Sequence, residues 1–224
     1  MMGRDFFITG TDTGVGKTWA TVALMHYFKA QDRVVAGMKP VAAGCEWLDG
    51  RLKNEDALLL QRHASIALEY EEVNPYAFEA PVSPHLANDG NPVRIDRLMQ
   101  DFKSLKNKAD VVLVEGAGGW FAPLSQEADI ADLAKALQIP VIMVVAIRLG
   151  CINHARLTFQ SIQSAKVDCA GWLAMCVDPD MQKQEENIET IKNKISVPLL
   201  GVLPYMDGMD FALLAESIIK GKLI

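Results

Sequence analysis

The sequence predicts an α/β fold, a mostly parallel sheet flanked by helices, on three observations. Short apolar runs recur along almost the whole chain, amphipathic helical stripes separate them, and a glycine-rich turn joins the first run to the first stripe. The runs are Phe6 to Thr9, Val34 to Lys39, Val111 to Glu115, Val141 to Ile147, Ala170 to Met175 and Leu199 to Leu203, each read as a strand buried on both faces. Ala20, Ala23, Leu24, Tyr27 and Phe28 repeat at helical spacing and define a helix beginning near Trp19. Ile95, Leu98, Met99 and Phe102 mark another, as do Ile152, Ala155, Phe159 and Ile162. Ile188, Ile191 and Ile195 mark a further helix, and Phe211, Leu214, Ala215, Ile218 and Ile219 a last one. All are core positions. Asn74 to Pro92 holds four prolines and Asp89-Gly90, and reads as loop with at most short helical turns.

The chain has 224 residues, which suits a single domain spanning 1–224. Half of it is apolar and 22% is charged, so a disordered or collagen-like chain is excluded. With 22 basic and 28 acidic residues the net charge is −6, which argues against a nucleic-acid partner. Cys45, Cys151, Cys169 and Cys176 lack zinc or redox spacing and read as reduced, incidental thiols. Met1-Met2-Gly3-Arg4-Asp5 has none of a signal peptide's apolar core, and no run reaches the ~18 apolar residues that span a bilayer. A soluble cytoplasmic protein with no membrane partner is expected.

The sharpest motif is Gly10-Thr11-Asp12-Thr13-Gly14-Val15-Gly16-Lys17-Thr18, set between the first strand and Trp19. Glycines there let backbone N–H groups curl around phosphate oxygens, and the helix N-terminus adds partial positive charge. Lys17 would serve the outer phosphates and Thr18 a Mg²⁺ ion, as in a P-loop. The strict spacing would put a glycine at Thr11, so the loop is a variant.

Val111 to Glu115 continues into Gly116-Ala117-Gly118-Gly119, placing a carboxylate where ligands sit in open parallel sheets. Glu115 could hold Mg²⁺; a solvated strand-end acid is the plainer alternative. Asp110, at the other end of that strand, should be remote. Lys39 ends the second strand before Pro40-Val41-Ala42-Ala43-Gly44. A fixed ammonium would stabilise developing negative charge, although strand ends also carry lysines for solubility. Asp56, at the start of an expected helix, is equally readable as an N-terminal acid. Gly150-Cys151-Ile152-Asn153 opens a helix whose N–H groups suit a carboxylate, or simply starts it. His26, His63, His85 and His154 are scattered without a Ser or Cys constellation, so a hydrolytic triad is not expected. Trp120-Phe121 reads as packing or interface.

Taken together these segments resemble the dethiobiotin synthetases, biotin-pathway ligases that close a ureido ring. The resemblance runs from Phe6 to about Pro204 and is carried by the loop Gly10 to Thr18, by Lys39-Pro40-Val41-Ala42, by Glu115 to Trp120 and by Leu149 to His154, with Asn74-Pro75-Tyr76 and Ser83-Pro84-His85 also fitting. It implies a P-loop homodimer that uses ATP and Mg²⁺ to join CO₂ to 7,8-diaminononanoate through a carbamate and a carbamic-phosphoric anhydride. It also implies that Thr18, Asp56 and Glu115 hold Mg²⁺, that Lys39 is catalytic, and that Lys17 grips the outer phosphates. Thr13, Gly14, Val15, Gly16, Trp19, Gly116, Ala117 and Gly118 would surround the nucleotide. Gly150, Cys151, Ile152 and Asn153 would bind the substrate carboxylate across the dimer interface. Many members carry a serine at Ala43, where the resemblance implies a contact to the diamine, so that hydroxyl contact is missing or supplied elsewhere; many also carry an asparagine at Met175, which Cys176 follows. A thioether cannot read adenine's edge, so the base would rest on backbone groups of Pro204, Tyr205 and Met206, with weak ATP selectivity. Nucleotide-switched partition ATPases share such a sheet but carry an additional lysine in the loop, where this chain has Asp12 and Thr13. An amidotransferase-type synthetase would need a glutaminase domain for which the chain leaves no room.

Overall fold

The computed structural model describes residues 5–88 and 90–223. The readings made on Met1 to Arg4 and on Asp89 lie outside the described residues. In chain order the first elements are β1 (Phe6–Gly10), α1 (Lys17–Lys29), β2 (Val35–Met38), β3 (Val41–Ala43), β4 (Glu46–Leu48), β5 (Arg51–Lys53), α2 (Glu55–His63), α3 (Tyr70–Val73) and β6 (Tyr76–Phe78). They continue with α4 (Pro84–Ala87), α5 (Ile95–Lys106), β7 (Val111–Gly119), α6 (Ile130–Leu137), β8 (Val141–Ala146), α7 (Cys151–Ser164), β9 (Cys169–Met175), α8 (Gln184–Lys194), β10 (Leu199–Leu203) and α9 (Phe211–Glu216).

The six apolar runs form one sheet, ordered β10-β9-β8-β1-β7-β2, with every neighbouring pair parallel. β1 lies in its middle: Phe7 is in register with Val114 on β7 and with Val141 on β8. Adjacent residues on a strand point to opposite faces. Phe6 stacks on Phe28 of α1 at 5.9 Å, while Phe7 lies, like Ile130 of α6, against Gly116. Helices α1 and α6 therefore cover opposite faces, and the chain parts on either side of β1. Such a parting opens a crevice at the carboxyl ends of the strands, the usual ligand position in a doubly wound sheet.

Some expected boundaries move, each for a local reason. Helix α1 begins at Lys17 rather than Trp19, because Gly16 (φ 83°, ψ 26°) caps it in a left-handed conformation. Val34 falls outside β2, where its N–H is held by the Asp110 carboxylate at 2.9 Å. β10 is not buried on both faces, since it is the sheet's edge and Val202 is 37% exposed. Ile218 and Ile219 leave the last helical stripe: Ile218 bridges Gly201 and the Ile219 N–H donates to the Leu200 carbonyl at 2.8 Å. The unpaired groups of an edge strand claim that segment. Ile195 caps α8 in an extended conformation instead of continuing it. The stretch from Asn74 to Pro92 is more than loop and short helix, because β6 pairs in parallel with β3.

Candidate active site

The glycine-rich segment leaves β1 at Gly10 and curls into the N-terminus of α1, whose first turn carries no acidic residue. Gly16 could be nothing else at low cost: its φ is 83°, and a Cβ there would lie 2.7 Å from Met175 Cγ. Asp12 organises the loop from its other end. Its carboxylate accepts the Thr13 N–H at 2.7 Å and the Arg148 guanidinium at 3.0 Å, and its carbonyl accepts the Lys17 ammonium at 3.0 Å. Lys17 is buried, and desolvation together with the nearby Lys39 charge lowers its pKa to about 8.

Beside the loop, the carboxyl end of β2, the middle of β7 and the start of α2 converge; Glu115 does not end its strand, because Gly116 to Gly119, expected as a loop, continue β7, with Gly119 paired to Gly10 of β1. Lys39 Nζ donates to Glu115 Oε1 at 2.5 Å and to Asp56 Oδ2 at 3.0 Å; Thr18 Oγ1 donates to the same Glu115 oxygen at 2.8 Å. Burial of Lys39 works against its charge, but Glu115 and Asp56 outweigh that and raise its pKa to about 12. Burial likewise disfavours the Asp56 carboxylate, yet Lys39 holds it below the ordinary carboxylate range. Lys39 is thus a permanent cation near neutral pH, able to balance charge and unable to accept a proton. Asp56 is aimed by the helix it opens, since Asn54 caps α2 by accepting the N–H groups of Asp56 and Ala57.

The second oxygen of Glu115, Oε2, is buried without a hydrogen-bond partner. An orphaned carboxylate oxygen beside a hydroxyl and a second carboxylate is a hard-oxygen donor set, and it fits Mg²⁺. Among the described residues no cluster of three or more His, Cys, Asp or Glu side chains could hold a metal.

These groups face a cleft of about 680 Å³. Of the residues singled out from the sequence, Thr13, Gly14, Gly16, Lys17, Thr18, Trp19, Lys39, Ala43, Asp56, Glu115, Ala117 and Gly118 line it. Val15 and Gly116 support it from the core, and Met175 packs beneath Gly16. Cys176, Pro204, Tyr205 and Met206 lie outside it, at the ends of β9 and β10. Gly150, Cys151, Ile152 and Asn153 also lie outside, at the start of α7. Cys151 is buried, with its Sγ 3.7 Å from Asn187 Oδ1. Asn54 and the segment Pro81 to Pro84 line the cleft without having been assigned a role; their signals were a helix-capping asparagine and a proline cluster. Trp120 is buried and Phe121 is 62% exposed, in keeping with packing and surface. The histidines are not all scattered: His26 Nε2 and His63 Nδ1 lie 2.9 Å apart, and His85 Nδ1 lies 3.0 Å from Ser83 Oγ.

A family model described as an AAA domain matches residues 4–212. An ATP-dependent dethiobiotin synthetase from Xanthomonas axonopodis pv. citri is 46% identical over 215 residues, covering 95% of this chain and 96% of that protein. One from Aromatoleum aromaticum is 46% identical over 217 residues, covering 96% of each. Among solved structures, the septum site-determining protein MinD of Pyrococcus horikoshii, complexed with Mg-ADP, aligns over 100% of this chain and 99% of its own, with a TM-score of 0.61 and 17% identity. The signal recognition particle receptor FtsY of Elizabethkingia anophelis, in complex with GDP, aligns with a TM-score of 0.57 at 13% identity, covering 100% of this chain and 62% of that one. At such identities these structures show a shared fold.

Proposed function

The chain belongs to the ATP-dependent dethiobiotin synthetases, and from that membership we propose how its own residues carry out the reaction. It is an ATP-dependent ligase of biotin biosynthesis with the fold of the P-loop NTPases. The reading of the site rests above all on Lys39, whose ammonium spans Asp56 and Glu115 beside Lys17 at the carboxyl edge of the sheet.

One amine of 7,8-diaminononanoate adds to CO₂ and loses a proton, giving a carbamate. A carbamate oxygen attacks the γ-phosphorus of ATP, the bond to the bridging oxygen breaks, and ADP leaves. The neighbouring amine then attacks the carbonyl carbon of the anhydride; its C–O bond to phosphate breaks, a proton is lost, and the five-membered ring closes. Holding both amines on one molecule makes the last step intramolecular. Lys39 neutralises the carbamate and the charge developing on the transferring phosphoryl group. Lys17 and the amides from Thr13 to Thr18 orient the phosphates. Thr18, Asp56 and Glu115 would hold Mg²⁺, which when bound would offset phosphate charge. Gly150 to Asn153 at the start of α7, a helix with no acid in its first turn, receive the substrate carboxylate across a homodimer interface. The base rests on backbone groups of Pro204 to Met206 next to Met175 and Cys176. The protein works in the cytoplasm; among the described residues no helix is long and apolar enough to cross a membrane.

The test is phosphate release from Mg-ATP and bicarbonate with and without the diamine, together with product analysis. Diamine-dependent release with dethiobiotin formed supports the reading. Release at full rate without diamine would assign the chain to the nucleotide-switched partition ATPases instead.

A further inference from the structure

Behind the cleft lies a buried polar relay, Tyr70 and Asn74, which do not line the cleft but bind the main chains of two residues that do, Asn54 and Lys39. Tyr70 and Asn74 bracket the short helix α3, and both are buried, 6% and 3% exposed. The Tyr70 hydroxyl accepts the Asn54 backbone N–H at 2.7 Å and donates to Asn74 Oδ1 at 2.8 Å. Asn74 Nδ2 spends both of its protons on carbonyls, that of Lys39 at 2.6 Å and that of Tyr76 at 3.1 Å. The Lys39 N–H donates to the Val73 carbonyl at 2.8 Å, so both backbone groups of Lys39 are fixed by the same short helix.

The two ends of this relay coincide with the two ends of an ion pair. Asn54 caps the helix that carries Asp56, and Lys39 carries the ammonium that Asp56 accepts. These residues belong to segments separated in sequence, yet each main chain is tied to the other through one phenol and one amide. We propose that Tyr70 and Asn74 are positioning residues that hold Lys39 and Asp56 in register through their main chains. The inference rests on the proposed role of Lys39.

Chemistry supports a fixed polarity for the relay. Burial raises the Tyr70 pKa to about 12, so the phenol keeps the proton that it donates to Asn74. Every donor of the Asn74 amide is used, so an isosteric carboxylate there would face two carbonyl oxygens with no proton to offer. A relay of this kind acts on rate more than on nucleotide affinity, because the phosphate loop is built separately on β1 and α1.

The test compares Tyr70→Phe and Asn74→Asp with the parent chain in steady-state turnover, in nucleotide binding without diamine, in thermal melting and in crystal structures. Both variants are expected to lower kcat by about 10- to 100-fold, the range that a misplacement of ~1 Å costs, while KM for ATP and the nucleotide Kd change less than about threefold. In a Lys39→Gln background the added Tyr70→Phe change is expected to cost clearly less than in the parent, because one of its two targets is gone. The Tyr70→Phe structure should show Lys39 Nζ out of hydrogen-bond reach of Asp56. A kcat within about twofold of the parent in both variants, an equal loss in both backgrounds, or an unmoved Lys39–Asp56 contact overturns the relay. A parent chain that forms no dethiobiotin counts against the proposed function instead, and the variant structures then decide the relay without turnover.

Discussion

Lys39 and Glu115 meet at 2.5 Å with side chains 6% and 0% exposed, so the closest ion pair at the cleft is also the one most withdrawn from water. An ion pair so placed has given up hydration on both sides, and each member is costly to leave alone. Glu115 gains from Thr18 as well as from Lys39, and Asp56 keeps contact with solvent at 43% exposure.

Replacing Lys39 by alanine is expected to lower kcat by roughly 10²–10³-fold while leaving nucleotide affinity within a few-fold of the parent. Lys17→Ala should weaken both. Steady-state kinetics beside calorimetric nucleotide titrations check the pair, and unchanged turnover in Lys39→Ala would remove Lys39 from the chemistry. Stability should also fall in Lys39→Ala, by about 3–5 kcal/mol, because the buried Glu115 loses its cation. Added Mg²⁺ should restore part of that loss in denaturant melts.

Lys17 titrates in an accessible range. In the free protein its pKa is lowered to about 8, so an increasing share is neutral above that pH. Bound phosphates favour the charged form, and nucleotide binding near pH 8 to 9 should therefore take up protons and weaken as pH rises. Titration calorimetry in buffers of different ionisation enthalpy reads the uptake directly; binding without proton exchange over that range would contradict it.

His26 and His63 are expected to make the stability of the fold sensitive to acid. They pair at 2.9 Å and both lie against Phe211 of α9. Burial lowers both pKa values; for His26 the Lys29 charge adds to this against an opposing Asp210, and for His63 the charges of His26, Lys29 and Arg62 add to it. A base with a depressed folded-state pKa binds fewer protons folded than unfolded, so its stabilisation is complete above the unfolded value of about 6.5 and is lost below it. Melting temperature should fall between pH 7 and 5, and a His26→Gln, His63→Gln double variant should flatten that slope. An equal slope in both proteins would dismiss the pair as its source.

Met175 sets the expectation for the base. The residue is 5% exposed and packs under Gly16; if the base rests beside it, as proposed, it offers a thioether where paired donor and acceptor groups would be needed to read adenine. Turnover with CTP should come within about tenfold of that with ATP, and Met175→Asn should widen the gap, since a site that hydrogen-bonds its ligand rejects analogues far more strongly than an apolar one. A parent enzyme already strongly selective for ATP would defeat this expectation.

Much of the molecule could be read from its sequence because the signals were local. Each strand of the main sheet is a short apolar run, and Gly10 to Thr18 joins a strand to a helix in the order that phosphate binding needs. Lys39, Asp56 and Glu115 were each ambiguous alone, since a charged strand end or helix start has plain explanations; only the fold puts them within hydrogen-bond reach. The short paired strands β3 and β6 escaped because three residues carry no periodicity. The His26–His63 pair escaped because it joins residues 37 apart on two helices. The sequence overstates α9, because Ile218 and Ile219 keep its spacing while their backbone serves β10.

The winding order β10-β9-β8-β1-β7-β2 has a consequence for how such a protein can change. The opening above β1 is made by connections diverging to left and right, so it is a property of the backbone path and persists when the surrounding side chains drift. Lys39, Asp56 and Glu115 reach it from the end of β2, from α2 and from β7, on one flank, whereas Met175 ends β9 and Pro204 to Met206 follow β10 on the other. On the proposed roles of these residues, recognition and reactivity could be revised independently, one flank at a time, without re-laying the floor between them.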